Sequence, residues 1–442
     1  MNLKYSEGNI RRPIHRSRVR SINSSATFFL LVAVAVLVLF FMFWKPSANH
    51  STEMPVENRY IWQVRSIDTM KNSRDQARAR LNDASYDRVI ETEVADIKSL
   101  GANYIAIGTP YDDEFLPYLK RWVAAARRNN LKVWYRGTFS SYEGWFEYPK
   151  TMSPEELLVA SEKFITTHPE LFEDGDIFDA CPECENAGHW PQPHSDKQYN
   201  QFIQKKQSVL TDAFKEIDKD VNVSYASIIG GRAKDVMDQA SFDALGNVVA
   251  LDHYAIPPAN YSEYIKYFED EHATKVLFSE VGAPIPDLHG DMDEDEQSEF
   301  MRQVFEQLYA HGDQVIGINY WVYNNGTTAI ASPKGVHRKV AAVIEGYFKP
   351  GFIKGRIENT VGEGIDGATI HVDLGAEAKT TTHGFYFIAV PPGKHTVTIS
   401  HPEYFSNEKE EVIKQGTDLV SNSVLNPRHK NWRYTLKEIT PF

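Results

Sequence analysis

Between residues 58 and 349 the chain repeats one alternation: a short apolar run, then a longer segment with apolar residues three and four positions apart. Few architectures tolerate that rhythm. Strands that alternate with helices feed a parallel sheet whose crossovers cover its faces. Eight apolar runs can be read as strands: Tyr60–Arg65, Tyr104–Gly108, Lys132–Gly137, Asp176–Cys181, Asn222–Ile228, Val248–Tyr254, Lys275–Glu280 and Val315–Trp321.

The segments between them have a helical period. Tyr86–Leu100 places Val89, Ile90, Val94, Ile97 and Leu100 on one face, and Asp113–Asn129 repeats the pattern with Phe115, Leu116, Leu119, Trp122 and Val123. Ser153–Thr167, Asp196–Ile217, Ala233–Ala244, Tyr261–His272, Asp293–His311 and His337–Phe348 complete the set. Ser153-Pro154-Glu155-Glu156 offers a capping serine and a first-turn proline. Eight such pairs in about 290 residues predict an α/β chain built on a (β/α)8 TIM barrel. A doubly wound sheet is the alternative, but no Gly-x-Gly-x-x-Gly turn follows the first run.

Ahead of the barrel, residues 1–25 form a basic tail holding Lys4, Arg11, Arg12, Arg16, Arg18 and Arg20 against one acid, Glu7. Residues 26–44 carry no charge. As a helix they extend roughly 28 Å, the hydrocarbon thickness of a bilayer. The expectation is an N-terminal transmembrane signal anchor, with the basic tail cytoplasmic and everything after Lys45 extracytoplasmic. A cleaved signal peptide competes, but Pro46 stands where a cleavage site wants a small residue. Residues 45–57 read as a linker.

After Lys349-Pro350-Gly351 the period changes to two. Phe352–Ile357, Ala368–Val372, Phe385–Val390 and Thr396–Ser400 are separated by glycine and proline turns, which predicts a small C-terminal all-β sandwich over 352–427 and a tail over 428–442. The stretch resembles the carboxypeptidase regulatory-like domain in Gly355, Gly367-Ala368, Thr382-His383-Gly384-Phe385-Tyr386-Phe387 and Pro392-Gly393-Lys394-His395, with His383 where that family usually has Asp. The resemblance implies an accessory module without catalysis.

A formal net charge of -13 argues against a nucleic-acid partner, because phosphate neutralisation needs clustered cations. No serine nucleophile elbow, Walker loop or His-Glu-x-x-His is present. Chemistry in a barrel belongs to the C-terminal ends of its strands. The seventh run ends in Glu280, and the fourth leads into Pro182-Glu183-Cys184-Glu185-Asn186. Facing carboxylates at those two positions can divide acetal hydrolysis, one protonating the leaving oxygen and the other attacking the sugar.

This pattern resembles the clan of retaining (β/α)8-barrel glycoside hydrolases, whose acid/base follows strand four and whose nucleophile ends strand seven. The resemblance implies Glu280 as nucleophile and Glu183 or Glu185 as acid/base, with Glu183 nearer the strand end. Many members have Asn-Glu-Pro at strand four, and Pro-Glu-Cys-Glu-Asn departs from it. It also implies substrate-binding roles for Tyr254 or His253 at the end of strand six, Trp321 as a sugar platform and Arg136 as an orienting cation. Trp145 and Trp190, in strand-end loops, could extend the platform.

The reading is a membrane-anchored β-glycosidase, or transglycosylase, acting on extracytoplasmic polysaccharide with no cofactor and no metal. Two alternatives differ in class: a non-catalytic carbohydrate-binding or surface-assembly protein on a degenerate barrel, and a metal-dependent polysaccharide deacetylase. The second would need Asp179, His189, Asp252 and His253 to converge. Cys181 and Cys184 read as two partly buried thiols, with a disulfide, a redox couple or half of a metal site as the other options. The acidic run Asp291–Glu296 reads as the solvated first turn of a helix.

Overall fold

The computed structural model of the protein describes residues 60–186 and 195–429. The basic tail, the 26–44 run, the linker and Trp190 lie outside the described residues. Among the described residues no helix is long and apolar enough to cross a membrane.

Eight parallel strands form one curled sheet: β1 (Val64–Asp68), β2 (Tyr104–Ile107), β3 (Lys132–Tyr135), β4 (Ile177–Phe178), β5 (Ser227–Ile229), β6 (Val248–Asp252), β7 (Lys275–Val281) and β8 (Val315–Tyr320). Their order is β4-β3-β2-β1-β8-β7-β6-β5. The two ends meet through a parallel bridge between Ile177 and Asn222. Around it Asn222 N–H donates to the Asp176 carbonyl at 2.8 Å and Phe178 N–H to the Asn222 carbonyl at 2.9 Å. This is the arrangement of an α/β TIM barrel.

The longer helices between strands are α1 (Asp87–Ser99), α2 (Leu116–Arg128), α3 (Pro154–Thr167), α4 (Asp196–Glu216), α5 (Gly230–Val236), α6 (Gln239–Ala244), α7 (Asn260–His272), α8 (Glu294–Ala310) and α9 (Val340–Phe348). Ser153 caps α3 through a capping box with Glu156, and Asp293 caps α8 through one with Glu296. The acidic run therefore does open a helix, where carboxylates meet the positive end of the dipole. The single helix expected over Ala233–Ala244 is broken in two, because the Asp238 side chain accepts from Ser241 N–H and restarts the helix as an N-cap.

Side-chain alternation divides the apolar residues into two cores. Val64, Tyr104, Ala106, Trp134, Ile177, Ala250, Leu277 and Ile316 fill the barrel. A larger shell of aliphatic and aromatic residues lies between strands and helices. The run Tyr60–Arg65 was placed too early: β1 starts at Val64 and includes Ser66 and Asp68, whose polarity hides the strand from an apolar count. At the other side β5 starts at Ser227, and Asn222 contributes only its bridge.

The C-terminal region is two packed sheets. One has the order β11-β10-β13-β14, and the other β12-β9-β15 with β16 also on β9. Here β9 is Gly351–Asn359, β10 Thr369–Val372, β11 Glu377–Lys379, β12 Phe385–Val390, β13 Gly393–His401, β14 Tyr404–Ile413, β15 Asp418–Val420 and β16 Ser423–Leu425. Strand β14 carries no apolar run; it is an edge strand whose charged outer face discourages further pairing. The sandwich meets the barrel below its strand starts, where Tyr309 O–H at the end of α8 donates to the Ala389 carbonyl at 2.7 Å.

Gly317 in β8 has no room for a side chain, since a Cβ there would lie 2.1 Å from the Val64 carbonyl oxygen. Gly317→Ala is expected to lower stability by about 1–3 kcal/mol through forced separation of β1 and β8, measured by denaturant unfolding.

Candidate active site

Three carboxylates meet one guanidinium at the upper end of the barrel. Arg136, just past β3, has no solvent exposure. Its Nη1 lies 3.1 Å from Asp68 Oδ2 and 3.1 Å from Glu280 Oε1, and its Nη2 lies 3.2 Å from Asp252 Oδ2. Asn319 completes the layer, its Nδ2 donating to Asp68 Oδ2 at 3.1 Å and to the Ser279 carbonyl at 2.9 Å. Asp68 and Asn319 were not anticipated. Asp68 lies on the inward register of β1, which a correct start for that strand would have exposed.

Glu280 reaches this layer by a β-bulge. Against β6, Leu251 pairs with Phe278 but Asp252 pairs with Glu280, so Ser279 is an extra residue. Ser279 and Glu280 therefore both turn inward, Ser279 Oγ donating to Asp252 Oδ1 at 2.6 Å. Tyr254 O–H donates to Glu280 Oε2 at 2.8 Å. Burial first, and then the nearby Glu280 charge, hold the Asp252 carboxyl well above the usual carboxylate range. The same two causes push the Tyr254 hydroxyl upward.

Above Glu280 opens a cavity of about 270 Å³ lined by Met70, Arg74, Glu143, Trp145, Pro182, Glu183, Asn186, Glu280 and Trp321. An oxygen from each of Glu183, Asp252 and Glu280 lies within 4.8 Å of the other two. Burial and the Glu280 charge raise the Glu183 carboxyl above its ordinary value. Trp321 and Trp145 present indoles to the cavity, with Lys71 Nζ 5.5 Å from the first ring and the Arg74 guanidinium 4.7 Å from the second. Glu143, raised by burial, is a third cavity carboxyl and has no motif to mark it in the sequence.

The other anticipated residues fall elsewhere. Glu185 is buried behind the loop, its Oε1 accepting from Ile229 N–H at 2.7 Å, and burial pushes its carboxyl up to about 7. His253 faces outward between Tyr261 and Tyr264 rather than into the cavity, as strand alternation after Asp252 requires, and burial lowers its imidazole to about 4. Arg136 is sealed beneath the cavity and meets carboxylates, not solvent. Cys181 and Cys184 are joined in a disulfide rather than being free thiols.

The carboxylate trio has ligand atoms close enough for a metal ion. Arg136 already contacts two of its members, and a divalent cation beside a fixed guanidinium is opposed by like charge. The deacetylase ligands do not assemble among the described residues: Asp179 is taken by Lys206 Nζ at 3.3 Å and by Ser227, and His253 points away. His189 lies outside the described residues.

Residues 353–425 match the family model of the carboxypeptidase regulatory-like domain. No curated protein matches the chain in sequence. Similar solved structures include the β-glycosidase BGL167, at 12% identity and a TM-score of 0.45, covering 67% of this chain and 97% of its own. A β-glycosidase from Pyrococcus horikoshii is 11% identical with a TM-score of 0.44, covering 66% of this chain and 94% of its own. A β-glucosidase from Exiguobacterium marinum is 11% identical with a TM-score of 0.42, covering 59% and 87%.

Replacing Arg136 with Met leaves buried carboxylates uncompensated and is expected to cost about 3–5 kcal/mol at neutral pH. The native variant would then bind more protons than the unfolded chain, so the deficit should shrink as pH falls toward the ordinary carboxylate range. Urea unfolding at neutral and mildly acidic pH checks both the size and the sign.

Proposed function

We propose that this chain hydrolyses, or transfers across, β-glycosidic bonds in polysaccharide by a retaining mechanism, with Glu280 as nucleophile and Glu183 as acid/base. The observation that carries the reading is the pair of carboxyls with oxygens within 4.8 Å over a tryptophan-lined cavity. Retaining pairs stand about 5–5.5 Å apart, whereas inverting pairs leave about 6.5–9.5 Å for a water.

The surroundings suit each acid to a different task. Arg136 and Tyr254 grip the two Glu280 oxygens, which holds the carboxylate in line for attack on the anomeric carbon. Glu183, kept protonated toward higher pH by burial and by Glu280, donates its proton to the departing oxygen. Once Glu280 is esterified its charge is gone and that upward push on Glu183 weakens. Glu183 then accepts a proton from water, or from an acceptor sugar hydroxyl, as that oxygen attacks the ester. Trp321 offers an apolar face to the C–H face of the bound ring.

In this reading residues 26–44 anchor the chain in a lipid bilayer, residues 1–25 remain in the cytoplasm, and the barrel acts outside. A disulfide in the acid loop accords with an oxidising compartment.

The whole chain should turn over at least one aryl member of a panel of β-glucosides, galactosides, mannosides and xylosides, with kcat/KM falling as pH rises through the raised Glu183 pKa. Glu183→Gln should lose that alkaline limb and about 10²–10⁴-fold in rate on poor leaving groups, and Glu280→Gln should lose at least as much on every substrate. Sugar binding without turnover by the unaltered chain would instead assign a carbohydrate-binding protein.

A further inference from the structure

Glu183 lies inside the ring that Cys181 and Cys184 close. Its φ is 51°, in the left-handed region that a residue with a Cβ occupies only when its surroundings impose it. Both sulfurs are buried, at 0% and 1% residue exposure, and Pro182 between them lines the cavity. The loop is tied to the barrel at both ends. Cys181 N–H donates to Asp179 Oδ1 at 3.2 Å, Glu183 N–H to the Ser227 carbonyl at 3.1 Å, and Glu185 accepts from Ile229. Those bonds hold the loop on the barrel, and the sulfur bridge closes it directly around Glu183, the one residue of this loop whose backbone is left-handed.

We propose that the Cys181–Cys184 disulfide is a positioning device for the catalytic acid: it locks Glu183 in the left-handed turn that aims its carboxyl at the glycosidic oxygen above Glu280. The inference rests on the reading of Glu183 as acid/base. A purely stabilising role is the weaker account, because a cross-link restrains the unfolded chain in proportion to the logarithm of its loop, and a loop of this length restrains it least. Opened, the turn is free to return to negative φ, which swings the carboxyl away while Glu280, gripped from β3 and beyond β6, stays in place.

The test compares substrates that need the acid with those that do not. Unactivated glycosides require protonation of the leaving oxygen; 2,4-dinitrophenyl glycosides depart as stable phenolates. In the whole chain, Cys181→Ser/Cys184→Ser should lose about 10²–10⁴-fold in kcat/KM on the unactivated substrates, together with the alkaline limb. Formation of the glycosyl-enzyme from the dinitrophenyl substrate should stay within a few-fold of the unaltered chain, the pattern also expected of Glu183→Gln. Equal losses on both substrate types, or none on either, overturn the proposal.

Should the variant not fold, the unaltered chain reduced by dithiothreitol makes the same comparison. Two electrons and two protons pass to the cysteines as the dithiol becomes its cyclic disulfide, and a thiol count of two marks completion. The same selective loss, reversed on reoxidation, supports the proposal, and full activity with two thiols counted overturns it. If the unaltered chain cleaves no glycoside while Glu280 is intact, the hydrolase reading falls and takes this inference with it.

Discussion

A guanidinium sealed under the mouth of a barrel sets the terms for everything around it. Arg136 has no water to solvate it, so its charge must be met by the protein, and Asp68, Asp252 and Glu280 do so from β1, β6 and β7. Those contacts cross the interior and tie together strands that are not neighbours in the sheet. They also leave an excess of carboxyl groups over cations. Burial and the Glu280 charge resolve part of that excess by holding the Asp252 carboxyl well above its usual range. Glu280 is thereby fixed by the fold's internal electrostatics before any ligand arrives.

Each of the two acids over the cavity is aimed by a local break in regularity. A single extra residue in β7 lets Ser279 and Glu280 both face inward, which simple alternation forbids. On the opposite side, a left-handed backbone turn raises Glu183 out of the short fourth strand. Regular strands would have sent one or both side chains into the shell of helices. The scaffold supplies direction, and the irregularities supply convergence.

Much of the fold was legible in the sequence because hydrophobic period and capping chemistry are local. The eight strand regions, the serine cap at Ser153, the acidic first turn of α8 and the turn-rich C-terminal strands could all be read that way. Failures followed the polar interior. The Ser66 and Asp68 positions disguised β1, Asp238 divided a helix that periodicity left whole, and β14 carried its charges on an edge. Within the site, strand-end position singled out Glu280 and the Pro182–Asn186 loop, and the resemblance added Tyr254 and Trp321. It could not separate Glu183 from Glu185, because a positive φ and a disulfide decide which of the two faces the cavity. His253 was misread because strand register, not residue type, determines which of two adjacent side chains points inward.

The β-sandwich meets the barrel at Tyr309 and Ala389, beneath the starts of the strands, whereas the paired carboxyls stand beyond their ends. At least a strand's length, about 20 Å for six residues, separates that seam from the reacting groups. A ligand the size of one monosaccharide therefore cannot touch both, and in the proposed reading the sandwich would act on catalysis only through something with reach. Under the proposed reading, it would hold a long glycan or an insoluble matrix at the end of the barrel opposite the paired carboxyls.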